Sequence, residues 1–114
     1  MAKISSRDVS DQIRVITVTD RMDVQGTEKI ESQLADLARG TRKVVVDLVE
    51  VTFLSSVGIR ALVANGKALK GAGGAMVLVV GQNAAATKTL KTTCTDALLQ
   101  LFDTQEEALA SLAS

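Results

Sequence analysis

The sequence predicts an α/β fold with a mixed β-sheet, parallel central strands and about four helices. Two continuous apolar runs, at residues 44–46 and 76–80, are typical of strands buried inside a sheet. Between them, Ile59, Leu62 and Leu69 recur at the spacing of one helix face. The order strand, helix, strand is the unit that joins two parallel strands, so these runs are expected at the centre of the sheet.

The elements before this unit are expected to be a hairpin and a first helix. Residues 13–19 are rich in β-branched side chains, and residues 4–9 can pair with them through a turn near Ser10 and Asp11. A loop is expected over residues 20–26. The helix after it carries Ile30, Leu34, Leu37 and Ala38 at helical spacing and ends at Gly40.

The elements after the central unit are expected to be a turn, two helices and a short strand. The glycine-rich segment 71–74 follows a helix and precedes a strand, which is the order of a helix end and not of a dinucleotide-binding loop. Asn83 is placed to cap a third helix, a short strand is expected at residues 99–102, and Thr104 with Glu107 fits a capping box. The apolar faces are Ala86, Leu90 and Cys94 in the third helix and Ala108, Leu109 and Leu112 in the last.

Length and composition limit the possible functions. The 114 residues match one domain, expected over residues 1–114, and 13 basic and 13 acidic side chains give a formal net charge of zero, with no basic cluster for nucleic acid. Without histidine the chain cannot form a Ser-His-Asp or Cys-His site, and Cys94 alone provides neither an internal disulfide nor a usual zinc site. We expect no enzyme, no cofactor and no metal. Without a signal-peptide pattern or an apolar run of about 20 residues, a cytoplasmic protein that does not insert into a membrane is expected.

The most informative polar residues are Ser55 and Ser56, which follow the buried strand region and open the central helix. Serine is among the best N-cap residues, so the structural interpretation is a cap that contributes about 1 kcal/mol. The functional interpretation is a regulatory phosphate, because the free N–H groups and the positive dipole end of a helix accept a dianion. Such a phosphate would change the surface without melting the helix, which predicts a binding switch.

The order of the elements and two segments resemble the STAS family, the fold of bacterial anti-sigma factor antagonists. The segments are VVDL at residues 45–48 and VTFLSSVGIR at residues 51–60. In that family, a serine two residues before the loop glycine is phosphorylated by an anti-sigma factor that is also a serine kinase of ATPase fold. The resemblance thus places the phosphorylation site at Ser56, with Ser55 as the second candidate. It also implies that the unphosphorylated form binds the kinase and releases a sigma factor, and that a protein phosphatase restores binding.

The partner-binding surface is expected at Asp23, Ser55, Ser56, Val57 and Arg60. By the resemblance, Asp23 corresponds to an acidic residue that lies close to the phosphorylated serine in members of the family. Ser55 stands where well-studied members often carry Asp, and Val57 stands where they often carry Ser. Arg60 lies about one turn into the helix, within reach of a phosphate or of a partner carboxylate.

Other interpretations stay open for these residues. Asp23 equally fits an aspartate that holds a turn by accepting backbone N–H bonds, and Arg60 equally fits a solvated side chain. Asp47, at the end of a buried strand, is expected to bond the loop beneath the serines. The alternative function is a constitutive STAS scaffold or accessory subunit of a transport system or signalling assembly, in which the serines only cap. Acid–base catalysis by Asp20 and Asp23 is the remaining enzymatic hypothesis.

Overall fold

The computed structural model describes residues 2–93 and 95–113, without the side chain of Asp96. The strands are β1 (Lys3–Asp8), β2 (Ile13–Met22), β3 (Lys43–Asp47), β4 (Val51–Leu54), β5 (Ala75–Val79) and β6 (Leu101–Phe102). The helices are α1 (Val24–Arg39), α2 (Ser56–Gly71), α3 (Ala84–Thr92) and α4 (Gln105–Ala113), with a short 3₁₀ helix at Thr95–Ala97.

The strands form one six-stranded sheet with a mixed pattern of directions. β1 and β2 are an antiparallel hairpin, whereas β2–β3, β3–β5 and β5–β6 pair in parallel, giving the order β1-β2-β3-β5-β6. β4 lies off this path and pairs in parallel with the end of β2, from Asp20 to Met22. The carboxyl ends of β2, β3, β4 and β5 therefore point toward the same edge of the sheet.

Helices cover the two faces of the sheet unequally. Leu34 of α1, Leu62 of α2 and Leu90 of α3 are fully buried in one apolar cluster, which also contains Val44 and Val46 of β3. The second cluster joins Ala108 and Leu112 of α4 to Val15, Val45, Val77 and Val79. Successive residues of β3 thus point into different layers, which is why residues 44–46 are apolar without alternation.

The structure confirms the predicted hairpin, the parallel central strands and the four helices. Asn83 caps α3 by accepting a bond from the Ala86 N–H at 3.1 Å, and its amide donates to the carbonyls of Leu48 and Val51 at 2.9 and 2.7 Å. The Thr104 hydroxyl accepts from the N–H of Glu107 at 3.1 Å, as the capping box predicts. The Glu107 carboxylate accepts a hydrogen bond from the Thr104 hydroxyl at 3.2 Å, and not from the backbone N–H of Thr104.

The predicted loop over residues 20–26 is wrong, and a further strand, β4, lies between the buried strand β3 and the serines. β2 continues to Met22 and α1 begins at Val24, which leaves Asp23 alone between them. The extension exists because β4 pairs with it, and β4 has four residues with an exposed middle. A strand of four residues that follows β3 closely in the chain is too short to show its own pattern of alternating apolar and polar residues. The serines therefore follow β4.

Near the C-terminus, the structure departs from the predicted strand and agrees with the predicted face of α3. The strand expected at residues 99–102 covers only Leu101–Phe102, because the N–H of Leu99 bonds instead to the carbonyl of Thr95 at 2.8 Å. Ala86 and Leu90 are buried on α3 as expected. Cys94, which was expected on the same face, lies outside the described residues.

Candidate functional site

The paired ends of β2 and β4 bring the N-termini of α1 and α2 together. Met22 and Leu54 are opposite each other in the sheet, and each is followed by a helix N-cap, Asp23 for α1 and Ser55 for α2. The Met22 carbonyl accepts both the N–H of Ser55 at 3.0 Å and its hydroxyl at 2.6 Å. A Cβ at Gly58 would lie 3.1 Å from this same carbonyl oxygen, so a glycine there lets α2 approach β2 closely.

Ser55 is the N-cap of α2, and its hydroxyl is engaged on both sides. The oxygen accepts a hydrogen bond from the Gly58 N–H at 3.2 Å while its proton is donated to the Met22 carbonyl. An ionised aspartate at this position can accept the first bond but cannot donate the second. The capping role, which the sequence left open between the two serines, therefore belongs to Ser55.

Ser56 is the first residue of α2, and its side chain is exposed. Among the hydrogen bonds between described residues, none involves its hydroxyl. It stands at the helix end where the first N–H groups have no intrahelical acceptor and where the macrodipole is positive. The two adjacent hydroxyls thus differ sharply, since one is held within the fold and the other faces solvent.

This difference predicts unequal effects of two alanine substitutions on stability. Ser55→Ala is expected to lower the free energy of unfolding by about 1–2 kcal/mol, because the Gly58 N–H loses its acceptor and the Met22 carbonyl loses a donor. Ser56→Ala, the matched control, should change it by less than about 0.5 kcal/mol. Urea unfolding monitored by circular dichroism measures both, and equal stabilities for the two variants would contradict the assignment of the cap.

Asp23 is the N-cap of α1 and lies beside Arg21. One carboxylate oxygen accepts from the Gly26 N–H at 2.7 Å, and the other is 3.3 Å from the Arg21 Nε. The Gly26 hydrogen bond is the main cause that lowers the pKa of Asp23 below its usual value; desolvation opposes it, and the hydrogen bond and positive charge of Arg21 lower the pKa further. Asp23 thus does accept a backbone N–H bond, as one interpretation expected. Its side chain remains 36% exposed, so the carboxylate is also accessible to a partner.

An exposed aromatic residue next to the caps was missed by the sequence analysis. Phe53 of β4 is 43% exposed and lies opposite Arg21, whose guanidinium carbon is 4.9 Å from the ring centroid. This is the distance of a cation–π contact. The available signal was that the chain has two aromatic residues, and one of them stands three positions before Ser56. Exposed aromatic and arginine side chains are enriched where proteins bind each other.

Asp47 is not part of this site, and the bond predicted for it beneath the serines is wrong. Its carboxylate accepts from the Val49 N–H at 2.9 Å and from the Gln105 amide at 2.6 Å. Gln105 opens α4 and in turn accepts from Arg7 at 2.7 Å. Asp47 therefore holds its own turn and ties the end of β3 to the last helix.

The described residues contain neither a metal centre nor a membrane-spanning element. Within residues 2–93 and 95–113, no group of three or more His, Cys, Asp or Glu side chains is arranged to hold a metal ion. In the same part of the chain, no helix has the length and apolar character needed to cross a bilayer.

Comparison with known proteins identifies the family. The family model of the STAS domain matches residues 6–108. The chain belongs to the STAS domain family. Among curated proteins, none is significantly similar in sequence to this STAS domain.

Solved structures share the fold over nearly the full length of this STAS domain. An anti-sigma factor antagonist from Mycobacterium paratuberculosis is 24% identical with a TM-score of 0.90, covering 100% of this chain and 96% of that one. A STAS domain protein from Planctomyces limnophilus, described as an anti-sigma-factor antagonist, is 27% identical with a TM-score of 0.84 and 98% coverage of both chains. The anti-sigma factor antagonist SpoIIAA in its unphosphorylated form is 15% identical with a TM-score of 0.80, covering 97% of this chain and 96% of that one.

In this STAS domain, the predicted site residues lie at one end of the molecule. The Met22 carbonyl joins the segment that holds Asp23 to the one that holds Ser55 and Ser56. Val57 is half-buried and Arg60 is exposed on the first turns of α2. The arrangement offers an accessible hydroxyl and side chains of both charges at the surface.

Proposed function

We propose that this STAS domain is an anti-sigma factor antagonist whose binding to an anti-sigma factor is switched by phosphorylation of Ser56. The proposal rests on one observation. The Ser56 hydroxyl is exposed at the first position of α2, next to the N-cap Ser55, whose own hydroxyl is hydrogen-bonded within the fold. Similarity to anti-sigma factor antagonists supports the class of partner. For one of these similar proteins, SpoIIAA, structures exist in an unphosphorylated and a phosphorylated form.

Hydrogen bonding favours Ser56 over Ser55 as the phosphate acceptor. A kinase needs a hydroxyl whose oxygen can reach the transferred phosphoryl group. The Ser55 oxygen would first have to leave both the Met22 carbonyl and the Gly58 N–H, and a phosphate there would also remove the cap. Ser56 can be modified without breaking any hydrogen bond described in the fold.

A phosphate on Ser56 would alter binding through charge and not through unfolding. It adds about 1.5 to 2 negative charges at pH 7 and three acceptor oxygens. At the N-terminus of a helix this charge is favourable, so α2 is expected to stay folded. A partner that covers the neutral Ser56 would have to remove water from a dianion without offering it groups of opposite charge. The partner in this proposal is an anti-sigma factor kinase of ATPase fold, opposed by a phosphatase, and the STAS domain itself catalyses nothing.

Phosphorylation by that kinase is the direct test of the proposal. The purified domain is incubated with ATP and each candidate anti-sigma factor kinase from the same genome, and the modified residue is mapped by mass spectrometry. We expect one phosphate on Ser56, retained in Ser55→Ala and lost in Ser56→Ala. Intact mass of protein isolated from its native cells gives the second readout. If neither experiment finds a phosphate, the proposal fails and the constitutive scaffold is favoured.

A further inference from the structure

A row of positive charge runs along the exposed side of α2. Arg60, Lys67 and Lys70 are exposed, and the helix contains no Asp or Glu. With 3.6 residues per turn, these three and Ser56 fall within a sector about 80° wide. Within the described part of the chain, residues 2–93 and 95–113, none of the ion pairs involves a side chain of this helix. The chain as a whole is neutral, so the acidic side chains that balance this row lie on other parts of the chain.

Ser56 and Arg60 are neighbours on this row, whereas Lys67 is remote from Ser56. Residues four apart on a helix face each other across one turn, with an axial separation of about 6 Å. Lys67 lies about 16 Å farther along the axis than Ser56 by the same geometry. That distance exceeds the Debye length of about 8 Å at physiological salt. A phosphate on Ser56 would therefore meet Arg60 first and leave Lys67 largely unaffected.

We propose that Arg60 contacts an acidic group of the anti-sigma factor, and that a phosphate on Ser56 competes with this group for the Arg60 guanidinium. The inference rests on the function proposed above and names the chemistry of the partner, an acidic group that faces Arg60 at the Ser56 end of the row. Arginine binds carboxylates and phosphates in the same bidentate manner. A phosphate on the same helix has the advantage of an intramolecular ligand. Phosphorylation thus occupies the binding residue and places negative charge against the acidic group of the partner.

Binding of unmodified variants tests the contact between Arg60 and the partner. Titration calorimetry with the anti-sigma factor kinase that phosphorylates the domain should show Arg60→Gln binding about tenfold more weakly than wild type. Lys67→Gln, which removes the same charge from the same row, should bind within about threefold of wild type. Wild-type affinity for Arg60→Gln would overturn the inference. Equal losses of affinity for Arg60→Gln and Lys67→Gln would also overturn it, because they would show that the partner responds to the total positive charge of the helix and not to a contact at Arg60.

The competition is tested without the partner in a domain that carries phosphoserine at position 56 by genetic encoding. We expect the NMR signal of the Arg60 Nε–H to move downfield relative to the unmodified domain. The gain in melting temperature caused by the phosphate should shrink in Arg60→Gln and persist in Lys67→Gln. An unmoved Arg60 signal, or an equal gain in both variants, would overturn the inference.

The two proposals fail in different ways. If the phosphoserine domain binds the kinase as tightly as the unmodified domain, the function proposed for Ser56 is wrong. If phosphoserine abolishes binding while Arg60→Gln binds normally, the switch stands and the role of Arg60 is wrong.

Discussion

Ser56→Asp is expected to weaken binding to the anti-sigma factor by about 2 kcal/mol, or roughly 30-fold, whereas Ser56→Ala should bind within about twofold of wild type. The carboxylate adds a negative charge at a residue that is exposed and uncharged in the wild type. If that surface is covered by the partner, the charge must be desolvated or placed against like charge. The alanine variant removes a hydroxyl without hydrogen bonds in the described fold, so the contact surface is kept while phosphorylation is blocked.

Ser56→Asn is the matched control, because it has nearly the shape of aspartate without the charge. Titration calorimetry should give an affinity for Ser56→Asn close to that of wild type and well above that of Ser56→Asp. An acidic residue at the first position of a helix is favourable for the dipole, so Ser56→Asp should be at least as stable as wild type in urea. A loss of binding therefore cannot be attributed to unfolding. Equal affinities of the Asp and Asn variants would show that charge at position 56 does not control binding.

Elements defined by their own sequence were predictable, whereas elements defined by distant contacts were not. β3 and β5 are buried on both faces, and α1 and α2 have regular apolar faces, so the local pattern of apolar residues was sufficient. β4 is different, because it is a strand only through its pairing with the end of β2. The same pairing removed most of the expected loop around Asp23.

The site shows the same distinction. The position of the serine pair at a helix start follows from the sequence, but the division of roles between the two serines does not. Ser55 is the engaged residue because its hydroxyl reaches the Met22 carbonyl, 33 residues away in the chain. The stacking of Arg21 on Phe53 depends on the register of β2 and β4 in the same way. No local pattern contains either contact.

The glycine segment after α2 provides a second prediction with a large effect. A Cβ at Gly74 would lie 1.9 Å from the carbonyl oxygen of Arg42, a backbone atom that already accepts a bond from the Ala75 N–H at 3.0 Å. The N–H of Gly74 is also fixed, since it donates to the Leu69 carbonyl at 2.7 Å and closes the end of the helix. Gly74→Ala must therefore displace the backbone of the turn between α2 and β5 or that of Arg42 just before β3, and we expect a loss of about 2–4 kcal/mol in the free energy of unfolding.

Gly71, the last residue of α2, is the matched control for this prediction. Nothing lies within 4 Å of a Cβ built there, and the residue is helical. Gly71→Ala is expected to raise the free energy of unfolding by about 0.4–1 kcal/mol, because alanine loses less backbone entropy on folding. Urea unfolding of the two variants should thus give changes of opposite sign within four residues of sequence. Similar changes would show that the chain turns into β5 without the close approach of Gly74 to Arg42, and the register of β3 and β5 at that end would need revision.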